Sequence, residues 1–175
     1  MSTLELKELS APAGEVIKIA AGKTLDLKSQ GSTTLPTGSV LQVVGMKVQD
    51  NTTSTSSTYA NTGVTLSITP SSTSNKVLIT VGAAGCGVHG HTEVHQGLRI
   101  VRGSTVLIKF EGQGGYNSNS LPASDGYSCT FLDSPSTASA VTYVLQMANV
   151  SNGNGVVRLG HSTSESTMVL QEIQG

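Results

Sequence analysis

The chain has no tryptophan, and aromatic residues of all kinds make up only 3% of its 175 positions. Charge is equally sparse, at 12% against roughly 25% in an average soluble domain. With a formal net charge of −1, the chain offers no electrostatic footing for nucleic acid or an anionic membrane surface. No apolar run approaches the length of a membrane-spanning helix, and Met1 leads into a polar start unlike the apolar core of a signal peptide. Only two cysteines occur, Cys86 and Cys129, both within apolar strand-like runs. That placement favours two buried thiols over a disulfide framework.

What is present is glycine (20 residues) and a wealth of serine and threonine. The 37% hydrophobic content is mostly Val, Leu, Ile and Ala gathered in short runs, so the composition is not that of a disordered chain. Short apolar runs separated by Ser/Thr/Gly turns predict an all-β protein. Residues 1–37 read as an N-terminal arm. Its short alternating strands EVIKIA (15–20) and TLDLKS (24–29) are joined by AGK and place Val16, Ile17, Ile19, Leu25 and Leu27 on a candidate attachment seam. Two strands alone bury too little surface to stand by themselves, so the arm needs another surface to lie on.

From Gly38 to Gly175 a regular series follows: SVLQVVGMKV, VTLSITP, NKVLITVGAAG, QGLRIVRG, STVLIKFEG, GYSCTFLD, VTYVLQMANV, GVVRLG and STMVLQEI. No segment carries a capped helical period. A jelly-roll-like β-sandwich over 38–175 is the economical arrangement, with a hairpin turning at Gly103-Ser104. A core with so few rings suggests that further apolar area is buried against identical copies, hence a homo-oligomer of unspecified order.

The motifs RGST (102–105), LDSPSTASAVTY (132–143) and the closing VLQEI (169–173), with TPSSTSNKVLITV before them, resemble a β-sandwich domain of tailed-bacteriophage virion proteins. That domain is found in tail-fibre and structural proteins, notably of aquatic, cyanophage-like phages, and the resemblance covers residues 38–175. It implies a β-rich module on the outside of a phage particle, commonly a homotrimer, made in the host cytoplasm, with no catalytic residues and no cofactor. The partners it implies are further copies of the chain, other virion proteins such as the major capsid protein, and a host surface glycan. Locally, Arg102-Gly103-Ser104 reads as a tight turn, Asp133 as a turn cap before Pro135, and Leu170 and Ile173 as anchors of the last strand.

Two stretches could carry chemistry. GCGVHGHTEVHQG (85–97) places His89, His91 and His95 within seven residues, which fits a metal site, a proton-handling site or a polar loop. Its GVHGH segment is similar to a motif of phage fibre needles, where histidines of three chains surround a metal. On a strand, His89 and His91 would share a face and could meet at a trimer axis. The glycines favour the plainer reading, an irregular connection between strands. The loop EGQGGYNSNSLPASDGY (111–127) is the better recognition candidate: Tyr116 and Tyr127 could stack on a sugar ring while Asn117, Asn119 and Asp125 supply polar contacts.

An enzyme needs a convergent set of groups. Asp50, Glu93, Glu111, Asp125, Asp133, Glu165 and Glu172 are scattered singly, and GxSxG, HExxH and P-loop motifs are missing. The expectation is a non-enzymatic virion structural protein. Either it decorates or cements the capsid through its arm, or it forms the receptor-binding tip of a fibre. The lack of coiled-coil heptads or shaft repeats favours the first.

Overall fold

The computed structural model describes residues 20–24, 35–91, 94–113, 123–151 and 155–175, with side chains for all of these except 111–113 and 123–125. The chain divides into two compact units, Met1–Leu35 and Pro36–Gly175. In the first, the described residues form a tight turn at the AGK joint. There Lys23 N donates to Ala20 O at 3.1 Å and Gly22 takes a φ of 73°. The seam residues Val16, Ile17, Ile19, Leu25 and Leu27 lie outside the described residues.

The second unit is built of strands: β1 (Val40–Val48), β2 (Thr52–Ser54), β3 (Ala60–Ile68), β4 (Lys76–His89), β5 (His95–Arg102), β6 (Thr105–Gln113), β7 (Ala123–Asp133), β8 (Val141–Asn149), β9 (Val156–Leu159) and β10 (Ser166–Ile173). All pairings are antiparallel. The first sheet runs β1-β10-β4, with β7 on the far edge of β4, and β9 and β2 continue it past the end of β10. The second sheet runs β3-β8-β5-β6. No helix among the described residues is long and apolar enough to cross a membrane, which leaves β-barrel insertion unaddressed. The expected all-β sandwich of two antiparallel sheets is the observed class. The polar tract 50–59, which reads as an edge segment or a long turn, contributes the three-residue edge strand β2.

Strict alternation along each strand supplies the core. On the first sheet, Val44, Leu170, Ile79 and Phe131 form one inward row across four strands, and Met46, Met168, Val81 and Cys129 form the next. Facing them, Leu98 pairs with Met147 and Ile100 with Leu145 on the second sheet, all fully buried. Tyr143 is the one aromatic among the fully buried side chains of the described residues, so branched aliphatics and methionines do the filling. Neither Cys86 nor Cys129 is in a disulfide; Cys86 is fully buried with its thiol donating to Ala83 O at 3.6 Å, while Cys129 is half-buried. The β5–β6 hairpin turns at Gly103-Ser104 as its sequence indicates, with Gly103 at φ 58°, the first-position geometry that a side chain would strain.

Candidate functional site

One end of the sandwich carries the histidine stretch. β4 does not stop at Gly85. Its last residues pair with β7 on one side (Cys86 with Asp125, Gly87 with Ser124) and with β9 on the other (Gly87 with Arg158, His89 with Val156). Half of the expected glycine-rich connection is therefore strand. His89, exposed, is the last residue of β4, and Gly90 at φ 87° ends the extended chain immediately after it. The same-face placement of His89 and His91, which depends on one continuous strand, is thus not met. Gly155 packs against this turn so closely that a Cβ there would stand 2.7 Å from His89 O. His95 opens β5, half-buried, and its carbonyl accepts Val150 N at 2.9 Å. Among the described residues no group of three His, Cys, Asp or Glu stands close enough to hold a metal. A depression lies on the β2–β9–β4 surface, lined by Thr53, Gly87, Val88, His89, Val156 and Arg158.

The recognition loop is shorter than its sequence suggests. β6 runs to Gln113 and β7 begins at Ala123, so Asp125 and Tyr127 belong to a paired strand, with Asp125 opposite Cys86 and Tyr127 opposite Ala83. Tyr127 packs against the core and is not a free stacking platform. Tyr116, Asn117 and Asn119 lie outside the described residues.

The densest chemistry sits at the other end, in residues that read only as turns and anchors. Asp133, the last residue of β7, is 5% exposed and crosses from the first sheet to the second. Its Oδ2 accepts Arg102 Nε at 2.7 Å and Tyr143 OH at 2.9 Å. Arg102 Nη2 reaches Oδ1 at 3.4 Å. Asp133 does not cap a turn, as expected from LDSP; it clamps the sheets together. Burial, then the hydrogen bond to Asp133 and that residue's charge, push the Tyr143 hydroxyl well above its ordinary pKa, against the opposing pull of Arg102.

Glu172 on β10 is 1% exposed. Its Oε1 accepts Ser71 N (2.6 Å), Ser71 Oγ (2.8 Å) and Asn75 Nδ2 (2.5 Å), and its Oε2 accepts Gln42 Nε2 (2.6 Å). Burial works to raise this carboxyl, but the hydrogen bonds from Asn75, Gln42 and Ser71 together outweigh it and hold the pKa below its usual value. Asn75 Oδ1 also accepts Gly175 N at 3.1 Å, so the same cluster pins the C-terminus. Sequence reading missed both networks, although one signal was available. Asp133 follows Phe131, and Glu172 follows Met168 and Leu170, at the inward parity of their strands. A carboxylate at a core-facing position needs partners.

These networks hold the fold: both carboxylates are almost fully buried, and each is satisfied by donors of the chain itself. No family model matches the chain, and no curated protein matches it. Among solved structures it is similar to the crystal structure of the infectious bursal disease virus VP2 subviral particle, at a TM-score of 0.39 and 13% identity. The match covers 87% of this chain and 37% of that one, so the chain spans little more than a third of that protein. A likeness of that size carries neither fold detail nor function to this chain.

Proposed function

We propose that the chain is a non-enzymatic structural protein of a bacteriophage virion, a homotrimeric decoration or cement protein on the capsid surface, docked on the major capsid protein through residues 1–37. One observation carries this reading. The motifs that resemble the phage domain supply every described member of the two buried networks except Gln42. RGST supplies Arg102, LDSPSTASAVTY supplies Asp133 and Tyr143, VLQEI supplies Glu172, and TPSSTSN supplies Ser71 and Asn75. In this chain these motifs therefore fix long-range tertiary contacts and are more than turn composition. The strand order agrees: counting only the eight long strands, one sheet reads 1-8-3-6 and the other 2-7-4-5, the winding of a jelly roll. That fold serves many functions, so it supports the reading without specifying it.

Deleting residues 1–35 from the recombinant protein tests the docking role, because the cut falls between the two compact units. The truncated protein is expected to keep its β-sheet circular dichroism and its trimeric mass by light scattering while losing attachment to phage heads. Full attachment without the arm would refute the docking role, and a monomeric mass for the intact chain would refute the trimer.

A further inference from the structure

The outer face of the first sheet gathers apolar side chains that nothing in this unit covers. Val43 (β1), Gln171 (β10), Leu78 (β4) and Leu132 (β7) occupy one register row across four strands. The next row is Gly45, Val169, Thr80 and Thr130. Val40 and Ile173 face each other at the near end. Of the five large hydrophobics exposed among the described residues, Val40, Val43 and Leu132 lie on this face, at 48%, 56% and 46%. Leu78, Val169 and Ile173 between them are only half-buried. Apolar side chains gathered in one exposed patch mark an interaction surface, whereas scattered ones do not.

The chemistry of the face narrows what can cover it. Every side chain of the two rows is described, and none is charged. The lysines of the face sit at its opposite ends, Lys76 opposite Ile173 and Lys47 in an ion pair with Glu165 at 3.0 Å. A charged partner would find nothing to pair with over the rows, and burying its charges there would cost stability. An equally uncharged β-surface avoids that cost, and this chain itself carries one. The outer face of the second sheet does not qualify, because Arg99 and Lys109 stand on it. Width then bears on the symmetry. The row spans about 14 Å between its outer strands. Three such faces can be turned toward an axis parallel to the strands, with neighbouring edges one strand spacing apart. They then close a triangular prism about 24 Å on a side, each sheet about 7 Å from the axis. Leu78 and Gln171, the middle pair of the row, are long enough to meet their counterparts there. Gln171 offers both a donor and an acceptor, so three copies can satisfy one another. The rotation keeps every row at its own height. Val43 on the β1 edge of one copy therefore comes beside Leu132 on the β7 edge of the next.

We infer that the outer face of the first sheet is the interface between copies of this chain, with Val43 of one copy packed on Leu132 of the next around a threefold axis. The inference rests on the homotrimer proposed above and names the surface that makes it. Light scattering and disulfide trapping of the full chain test it. V43D and L132D each put an unpaired charge into the interface. Both are expected to run as monomers at concentrations where the intact chain is trimeric. Their β-sheet circular dichroism is expected to stay unchanged, because both positions are exposed within one copy. In V43C/L132C the two new thiols of one copy lie about 14 Å apart, too far to bridge, so a disulfide between them joins two copies. Mild oxidation is expected to give covalent trimers on a non-reducing gel, whereas V43C and L132C alone give none. Covalent dimers without trimers would mean two faces packed about a twofold axis and would overturn the arrangement. A trimer that survives V43D and L132D would overturn the interface and leave the homotrimer standing. A monomeric intact chain would remove the homotrimer itself, and the interface with it.

Discussion

Asp133 and Glu172 make a natural comparison, because the fold puts them in the same place and treats them differently. Both are register partners of Val77, one on β7 and the other on β10, so they flank it in one inward row about 10 Å apart. Both are almost fully buried. Asp133 is neutralised by a cation from the facing sheet and shared with a tyrosine from that same sheet. Glu172 has no cation among its described partners and is held by four neutral donors from β1 and the turn before β4. The difference separates two jobs. Asp133 joins sheet to sheet, whereas Glu172 fastens a turn and the chain end to one sheet.

If that division holds, removing Arg102 has the larger effect. Arg102→Ala strands a buried carboxylate and is expected to destabilise the sandwich by about 3–5 kcal/mol in urea denaturation. Replacing both partners, as Arg102→Met with Asp133→Leu, is expected to recover much of that loss, since the penalty belongs to the unpaired charge. A double variant as unstable as Arg102→Ala would mean that packing geometry, and not charge, sets the clamp.

Glu172→Gln sharpens the other side of the comparison. The new amide would turn its NH₂ either toward Gln42 Nε2 or toward Ser71 and Asn75, which are donors too. Gln42 cannot simply flip, because its Nε2 also donates to Thr69 O at 2.7 Å. The expected loss is about 1–3 kcal/mol at neutral pH. The folded-state pKa of Glu172 is depressed, so its contribution is fully present above the unfolded value of about 4.3 and is lost as pH falls through the folded one. The stability gap between wild type and E172Q should therefore shrink from pH 7 to pH 3. A gap that stays constant would show that folding does not shift the pKa of this carboxyl.

The sheets were legible in the sequence because alternation is local: Met168 and Leu170, or Val77, Ile79 and Val81, announce a buried face within a few residues. The clamp was not, because its members are far apart in the chain. Asp133 meets Arg102 from 31 residues away, and Glu172 meets Gln42 from 130. Their inward parity showed that partners must exist without naming them. Asp125 reads as loop for the opposite reason. The small, mostly polar residues 123–125 carry no apolar alternation, and only pairing with the long β4 makes them strand. The exposed row from Val43 to Leu132 was invisible because it exists only once β1, β10, β4 and β7 are set side by side.

The smallest expected effect isolates the tyrosine from the cation within the clamp. Tyr143→Phe keeps the buried ring and the Arg102–Asp133 pair and removes one hydrogen bond, for an expected loss of about 1 kcal/mol. In the wild type, the raised pKa of Tyr143 means the folded state holds its phenol proton after the unfolded chain has released it. Its contribution is complete below the unfolded value of about 10 and declines as pH climbs toward the folded one. Ultraviolet titration of the four tyrosines should show one that does not ionise with the others until the protein unfolds, and that component should vanish in Y143F. If all four ionise together in the folded protein, the phenol is not donating to Asp133, and Arg102 carries the clamp alone.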